Sequence, residues 1–225
     1  TATVVGTYQP LDRLSPSHAP AAGWPRALVH DIRGGVSMIL AALVAAAPPF
    51  ESAQPMPRLD SFLEAYVGTC ERRAAAARAE CERAARGARE RANGAAFRLE
   101  GDARAQLSVR GVDERRGVVH LRILPFWSER GLALSVGQPR RLDGQGNPLV
   151  RTFDLEVPLP DDEPAFIARR RFEMGRVRLE WVVRPRAPWS LSRPGEDDVR
   201  GVAARPVALR IVEPRTGKVV AEKIW

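Results

Sequence analysis

The chain has 225 residues, of which 44% are hydrophobic and 28% are charged, so it can bury a core and is neither a disordered nor a collagen-like chain. Its 35 basic and 27 acidic residues give a net charge of +8, which by itself would suggest an anionic partner. Only Lys218 and Lys223 are lysines, however, and the abundance of Ala and Arg is typical of GC-rich coding sequence. The charge alone therefore argues little for nucleic acid as a partner.

Residues 1–35 show no hydrophobic period and contain four prolines. We expect them to form a disordered or non-native N-terminal extension. An apolar window follows at residues 38–47, preceded by Val36 and ended by Pro48 and Pro49. It is shorter than the roughly 20 apolar residues that a membrane-spanning helix needs.

This apolar window has the length of a signal-peptide core, with Arg33 before it and the small residues Ala45 and Ala47 near its end. Residues 36–53 are therefore predicted to be a signal-peptide-like segment that is cleaved between Ala47 and Gln54. The mature chain would then be periplasmic or extracellular, with no integral membrane span. The alternative is a buried Ala-rich helix of the core.

Residues 54–94 are predicted to form a linker and a helical region. Apolar residues recur at helical spacing from Leu59 to Val67, with Ser61 and Glu64 as a capping box and Gly68 as the stop. The Arg- and Ala-rich stretch 71–92 favours a second helix with a solvated face.

The two cysteines, Cys70 and Cys81, conflict with one long helix. An unbroken helix would separate their Cα atoms by about 16 Å, whereas a disulfide requires about 4.4 to 6.8 Å. We favour a disulfide, with the helix beginning late, near Arg78 or Glu80. The alternative is two unpaired cysteines on one long helix.

Residues 95–225 are predicted to form an antiparallel β domain that packs with the helical region, because the hydrophobic period changes from 3.6 to 2. Turn residues separate the alternating segments, and the long helices of parallel crossovers are missing from the pattern. The fold class is α+β: an antiparallel β-sandwich or partly open barrel of about eight strands. The alternating segments are 97–99, 105–109, 119–123, 132–136, 153–157, 177–183, 207–211 and 219–224.

The exception to this alternation is the segment 161–175, which has acids and proline first, arginines late and glycine last. That order suits a helix dipole, so we predict a short helix, with a strand as the alternative. Its consecutive arginines Arg169, Arg170 and Arg171 form a candidate anion-binding group. Trp127 and Trp189, predicted at strand ends in proline-containing loops, are candidate ligand contacts or covers of the sandwich end.

Catalytic and metal-binding patterns are weak throughout the sequence. The histidine available in the predicted β domain, His120, lies on the polar side of its strand. Loop acids at 161–163 and 196–198 could supply paired carboxylates for a hydrolase. Segment 143–147 resembles a calcium loop but lacks the late glutamate, so we interpret it as a turn. We expect neither a metal nor a cofactor.

Several short stretches together are similar to an uncharacterised family, a domain of unknown function, of exported proteins found mainly in myxobacteria and their relatives. The resemblance covers about residues 59–220 and implies an exported protein with paired cysteines and no assigned activity. The resembling elements are Phe62-Leu63, Tyr66-Val67-Gly68 with Cys70, Cys81, Gly146-Asn147-Pro148, 179–185 with Trp189, and Gly201-Val202 leading to Arg215-Thr216-Gly217.

These observations predict a non-catalytic structural or binding module of the cell envelope. Its partner would be an anionic or envelope polymer. The alternatives are an exported hydrolase that uses loop carboxylates and an Arg-rich binder of anions or nucleic acid.

Overall fold

A computed structural model describes residues 48–71, 73–159, 163–193 and 195–225. The predicted N-terminal extension at residues 1–35 lies outside the described residues. So does most of the predicted signal-peptide-like segment, at residues 36–47. Within the described part, no helix combines the length and apolar character needed to cross a membrane.

The described residues form five helices and ten strands. The helices are α1 Pro49–Ser52, α2 Leu59–Val67, α3 Ala75–Ala92, α4 Ala103–Gln106 and α5 Ala165–Glu173. The strands are β1 Gln54–Pro55, β2 Phe97–Gly101, β3 Leu107–Asp113, β4 Val118–Ile123, β5 Phe126–Glu129, β6 Leu132–Val136, β7 Phe153–Pro158, β8 Arg178–Leu191, β9 Val199–Val212 and β10 Val219–Ile224.

The strands make two sheets. Seven strands form the first, in the order β1-β2-β8-β9-β6-β5 with β10 also paired to β9, and β3-β4-β7 form the second. Neither sheet closes on itself, which confirms the predicted α+β sandwich or partly open barrel. Two strand pairs, β1 with β2 and β6 with β9, are parallel, so the sandwich is not wholly antiparallel.

The long hairpin of β8 and β9 organises the larger sheet. Each strand has 14 residues, and two register shifts interrupt their pairing. β6 pairs with the first half of β9 and β10 with the second half. Because β9 pairs with β6, β8 and β10, it fixes the relative positions of these strands.

The main core includes buried side chains from both sheets and from four of the helices, α2, α3, α4 and α5. Trp181 of β8 is fully buried, and its ring contacts those of Phe153 from β7 and Trp225 beyond β10. The helix α2 packs on β6, β8 and β9 through Leu63, Tyr66 and Val67.

The start of α2 differs from the predicted capping box. Arg58 is the N-cap and makes no side-chain cap, and the acceptor is Asp60, whose Oδ1 receives the Ser61 N–H at 2.7 Å. That bond, followed by the nearby Arg58 and Arg130, lowers the pKa of Asp60. The predicted stop is confirmed, because Gly68 adopts φ 64° at the C-cap.

The chain before α2 contributes two short elements to the fold, α1 at the end of the predicted signal-peptide-like segment and β1 at the start of the predicted linker. Phe50 of α1 and Ala53 are buried against Val182 and Ala208 of the larger sheet. The Arg210 guanidinium lies 4.2 Å from the centre of the Phe50 ring. Folded structure in the described chain therefore begins before Gln54.

Candidate binding surfaces

The disulfide joins the turn after α2 to the helix α3. Cys70 and Cys81 are bonded, with their Cα atoms 5.7 Å apart. α3 begins at Ala75, so the predicted late start near Arg78 or Glu80 is wrong, whereas the predicted disulfide is confirmed. The disulfide is compatible with the long helix because Cys70 lies before α3, in the turn where Gly68 reverses the chain.

Close packing and polar contacts hold this turn in place. A Cβ on Gly68 would lie 2.5 Å from the Ala85 Cβ, so a side chain at this position would clash with α3. Glu71 bonds Arg200 of β9, with its Oε2 2.6 Å from Nη1. That bond is the largest cause of a lowered pKa for Glu71.

The three arginines of α5 that form the predicted anion-binding group differ in their contacts. Arg169 forms an ion pair with Glu173 at 2.6 Å, and Arg171 forms a close ion pair with Glu163. Arg170 is exposed and has no partner among the described residues. Consecutive residues of a helix point in different directions, so the triplet presents one unpaired guanidinium, with a neutralised pair on each side.

Large apolar side chains share the exposed side of α5 with Arg170. Phe166 is 71% exposed and Ile167 43% exposed, and Met174, directly after the helix, is 37% exposed. The opposite side buries Ala168 and Phe172 in the main core. We call the exposed set, Phe166, Ile167, Arg170 and Met174, the outer α5 face.

Trp127 lies within β5, a strand that the sequence did not predict, rather than in a loop. Its ring meets Trp181 edge-on at 5.7 Å between centroids, and its Nε1 donates to the Glu100 carbonyl oxygen at 3.0 Å. It also lines a surface pocket with Met56, Arg98 and Arg178. The indole thus links β5 to β2 and leaves part of its surface at the pocket.

Trp189 is a packing residue of the larger sheet. It is 4% exposed and contacts Ala133 and Ala203. A Cβ on Gly201, its neighbour on β9, would lie 2.5 Å from the indole Cζ2. Trp189 is therefore a buried residue of the larger sheet, whereas Trp127 is only partly buried.

Two further arginines have no ion-pair partner among the described residues. Arg184 of β8 and Arg205 of β9 are direct cross-strand partners at the middle of the long hairpin, and both are exposed. Like charges in this position destabilise a sheet. No carboxylate of the described residues pairs with either one. Sequence reasoning missed the pair because the two residues lie far apart in the chain.

The loop acids that were considered for hydrolysis contact arginines or a hydroxyl group where the structure describes them. Glu163 pairs with Arg171, and Glu196 lies 2.6 Å from Arg193. Asp198 accepts from the Ser190 hydroxyl at 3.1 Å. Asp161 and Asp162 lie outside the described residues. The described acids hold neighbouring chain segments together.

His120 and the segment 143–147 also have local partners. The Nδ1 of His120 lies 3.6 Å from Glu156, which Arg116 binds at 2.8 Å. Asp143 accepts the amide N–H groups of Gln145 and Asn147, and the Asn147 amide is the main cause of its lowered pKa. The predicted turn is confirmed. The described part of the chain contains no group of three or more potential metal-ligating side chains.

Comparison with known proteins places the chain in a family without an assigned function. It belongs to a family of unknown function, DUF6066, whose model matches residues 40–225. The match includes both cysteines and all the described residues. Searches of curated proteins and of solved structures find no match.

Proposed function

We propose that this protein is an exported, non-catalytic binding or structural module of the cell envelope, acting in the periplasm or outside the cell of a myxobacterium or a related organism. The observation that carries export is the Cys70–Cys81 disulfide, because disulfides form and persist mainly in oxidising compartments. The apolar window at residues 38–47 supports the same location, because it has the length of a signal-peptide core.

The packing of α1 narrows the proposed cleavage site. Phe50 is 4% exposed and Ala53 is 8% exposed, and both lie against the larger sheet. Cleavage after Ala53 would remove Phe50 and its contact with Arg210. We therefore propose that the signal is removed between Ala47 and Phe50, within the range that the sequence allows.

Binding is favoured over hydrolysis by the state of the surface groups. The described loop acids are tied to arginines or hydroxyl groups, whereas Arg170, Arg184 and Arg205 project without a carboxylate partner among the described residues. A guanidinium without a partner can bind an anionic group without first breaking an internal ion pair. The proposed partner is therefore an anionic component of the envelope.

A reporter fusion tests export directly. Residues 1–58 would be fused to alkaline phosphatase, which becomes active only after its own disulfides form outside the cytoplasm. We expect an active fusion, and inactivity when Leu40→Arg and Leu43→Arg interrupt the apolar window. The matched control, Leu40→Ile with Leu43→Ile, should stay active. An inactive parent fusion, or activity that survives both arginines, would contradict export through this segment.

A further inference from the structure

The outer α5 face is unusual in how much apolar surface it exposes. Among the described residues six large apolar side chains are exposed, and three of them, Phe166, Ile167 and Met174, belong to this face. Single exposed apolar residues are ordinary, but a concentration on one short helix marks an interaction surface.

The spacing of these residues makes the face continuous. Phe166, Arg170 and Met174 are four residues apart, which aligns them along one side of the helix, and Ile167 lies beside them. Ala168 and Phe172, also four residues apart, anchor the other side in the core. The orientation of the helix is therefore fixed by its buried side, and the apolar outer side is a consequence of that fixed orientation.

Positive charge surrounds the C-terminal end of this face. Arg170 and Arg176 have no carboxylate partner among the described residues. Arg104 lies at the same end, with its Nε 3.4 Å from the Met174 carbonyl oxygen. The acidic groups Glu163 and Glu173 are each occupied by an arginine of α5. The C-terminal end of the face thus presents cations and apolar groups together, whereas at its other end Phe166 lines a pocket with Glu114.

We propose that the outer α5 face binds an anionic lipid surface, with Phe166, Ile167 and Met174 entering the boundary between headgroups and acyl chains. Arg170, Arg176 and Arg104 would contact lipid phosphates. Interfacial helices combine these two kinds of side chain in this way, and each basic residue near an anionic bilayer adds to the attraction. The proposal identifies the anionic envelope component of the proposed function as lipid, and it rests on that function for the location where protein and lipid meet.

The observations favour lipid over a polysaccharide or a protein partner. A charged polysaccharide would use the arginines and leave the apolar side chains in water. A protein partner of this chemistry would need a complementary acidic and apolar groove, whereas a bilayer accepts any protruding apolar group beneath a layer of phosphates. Because Phe166 is the most exposed large apolar residue of the described chain, the face is well suited to insertion.

The test uses the full 225-residue chain and flotation with vesicles of phosphatidylcholine alone or with phosphatidylglycerol added. The parent chain should bind the mixed vesicles more tightly. We expect the double variant F166S/I167S to weaken that binding about tenfold, because it removes the inserted side chains. R170Q should weaken it about fivefold, and only on vesicles that contain phosphatidylglycerol.

Matched controls separate this face from general charge and hydrophobicity. R86Q removes an exposed arginine from α3, and I224S removes an isoleucine that is 59% exposed on β10. Both should bind like the parent, within about twofold. Every chain in this test also carries Leu40→Arg and Leu43→Arg, because binding through the apolar window at residues 38–47 would add equally to all variants and mask their differences.

Three results would overturn the proposal: equal binding of both vesicle types, unchanged binding of F166S/I167S, or control variants that lose as much binding as the α5 variants. A parent chain that self-associates through this face, with F166S/I167S shifting it to monomer in sedimentation while leaving vesicle binding intact, would assign the face to a protein contact instead. The purified chain tests lipid binding independently of export, so a negative result here leaves the reporter fusion as a separate test of the proposed function.

Discussion

The helices α3 and α5 are both rich in arginine, yet the fold uses them in opposite ways. α3 is joined to the preceding turn by Cys81 and buries small residues, Ala85 and Ala92. α5 buries Ala168 and Phe172 but leaves Phe166 and Ile167 in solvent. α3 is thus covalently joined to the preceding turn, whereas α5 exposes large apolar side chains to solvent.

The arginines follow the same division. Arg89 of α3 donates to the carbonyl oxygens of Tyr66 and Val67 at 2.8 and 2.9 Å, so it satisfies the C-terminal end of α2. Arg170 of α5 satisfies no group of the described protein. Arginine content thus does not distinguish a structural helix from a binding helix. We therefore expect substitutions around α3 to lower the free energy of unfolding and substitutions on the outer α5 face to leave it unchanged.

The largest effect is expected for Gly68→Ala in the turn before α3. The new Cβ would combine an unfavourable positive φ with a clash at Ala85, and the free energy of unfolding should fall by about 4 kcal/mol in urea denaturation. The control is Gly94→Ala, which has φ 78° and open space around its Cβ, and it should cost about 1 kcal/mol. Equal losses in the two variants would show that packing against α3 contributes nothing.

Removal of the disulfide should have the next largest effect. The double variant Cys70→Ser with Cys81→Ser releases a loop of 11-residue separation and should lower the free energy of unfolding by about 3 kcal/mol. Reductant should destabilise the parent by a similar amount and leave the double variant unchanged. A parent whose urea midpoint does not respond to reductant would refute the stabilising role of the disulfide.

A smaller effect is expected for Arg89→Met. It removes two hydrogen bonds from the C-terminal carbonyls of α2 while keeping an aliphatic side chain, and should cost about 2 kcal/mol. Arg86→Met, at an exposed position of the same helix, should change stability by less than about 0.5 kcal/mol. If the two variants are equally stable, Arg89 does not connect α3 to α2.

The smallest effect is expected on the outer α5 face. Phe166→Ser and Arg170→Gln should each alter the free energy of unfolding by less than about 0.5 kcal/mol, because neither side chain packs in the core. Phe172→Ala, which truncates the buried aromatic of the same helix, should lower the free energy of unfolding by about 3 kcal/mol in urea denaturation. A large loss for Phe166→Ser would mean that the face is part of the fold and not available to a partner.

The sequence predicted the strands that alternate clearly and missed those that do not. β1 has two residues, one of them proline, and β5 has four, so neither offers a period to detect. β8 and β9 extend far beyond their predicted segments, and Pro185 of β8 lies at a register shift, where a strand tolerates a proline. The parallel pairing of β6 with β9 joins distant segments and leaves no local signal.

The candidate surfaces were harder to predict than the fold. The run Arg169, Arg170 and Arg171 suggested one anion site, but the ion pairs to Glu173 and Glu163 divide it. Within α5, apolar residues occur on both sides of the helix, so the period alone does not reveal which side faces the core. That choice depends on how α5 packs against β3, a contact between residues that are more than 50 positions apart. Trp127 and Trp189 look alike in sequence, yet only the folded sheet separates a pocket-lining indole from a buried one.

Proposed export and the closed disulfide can be tested together by the intact mass of the protein recovered from its native cells. The mass would be measured with alkylation before and after reduction. We expect a chain that lacks the residues before Pro48, takes up no alkylating groups before reduction and takes up two afterwards. A cytoplasmic chain that retains residues 36–47 and alkylates at both cysteines without reduction would contradict it.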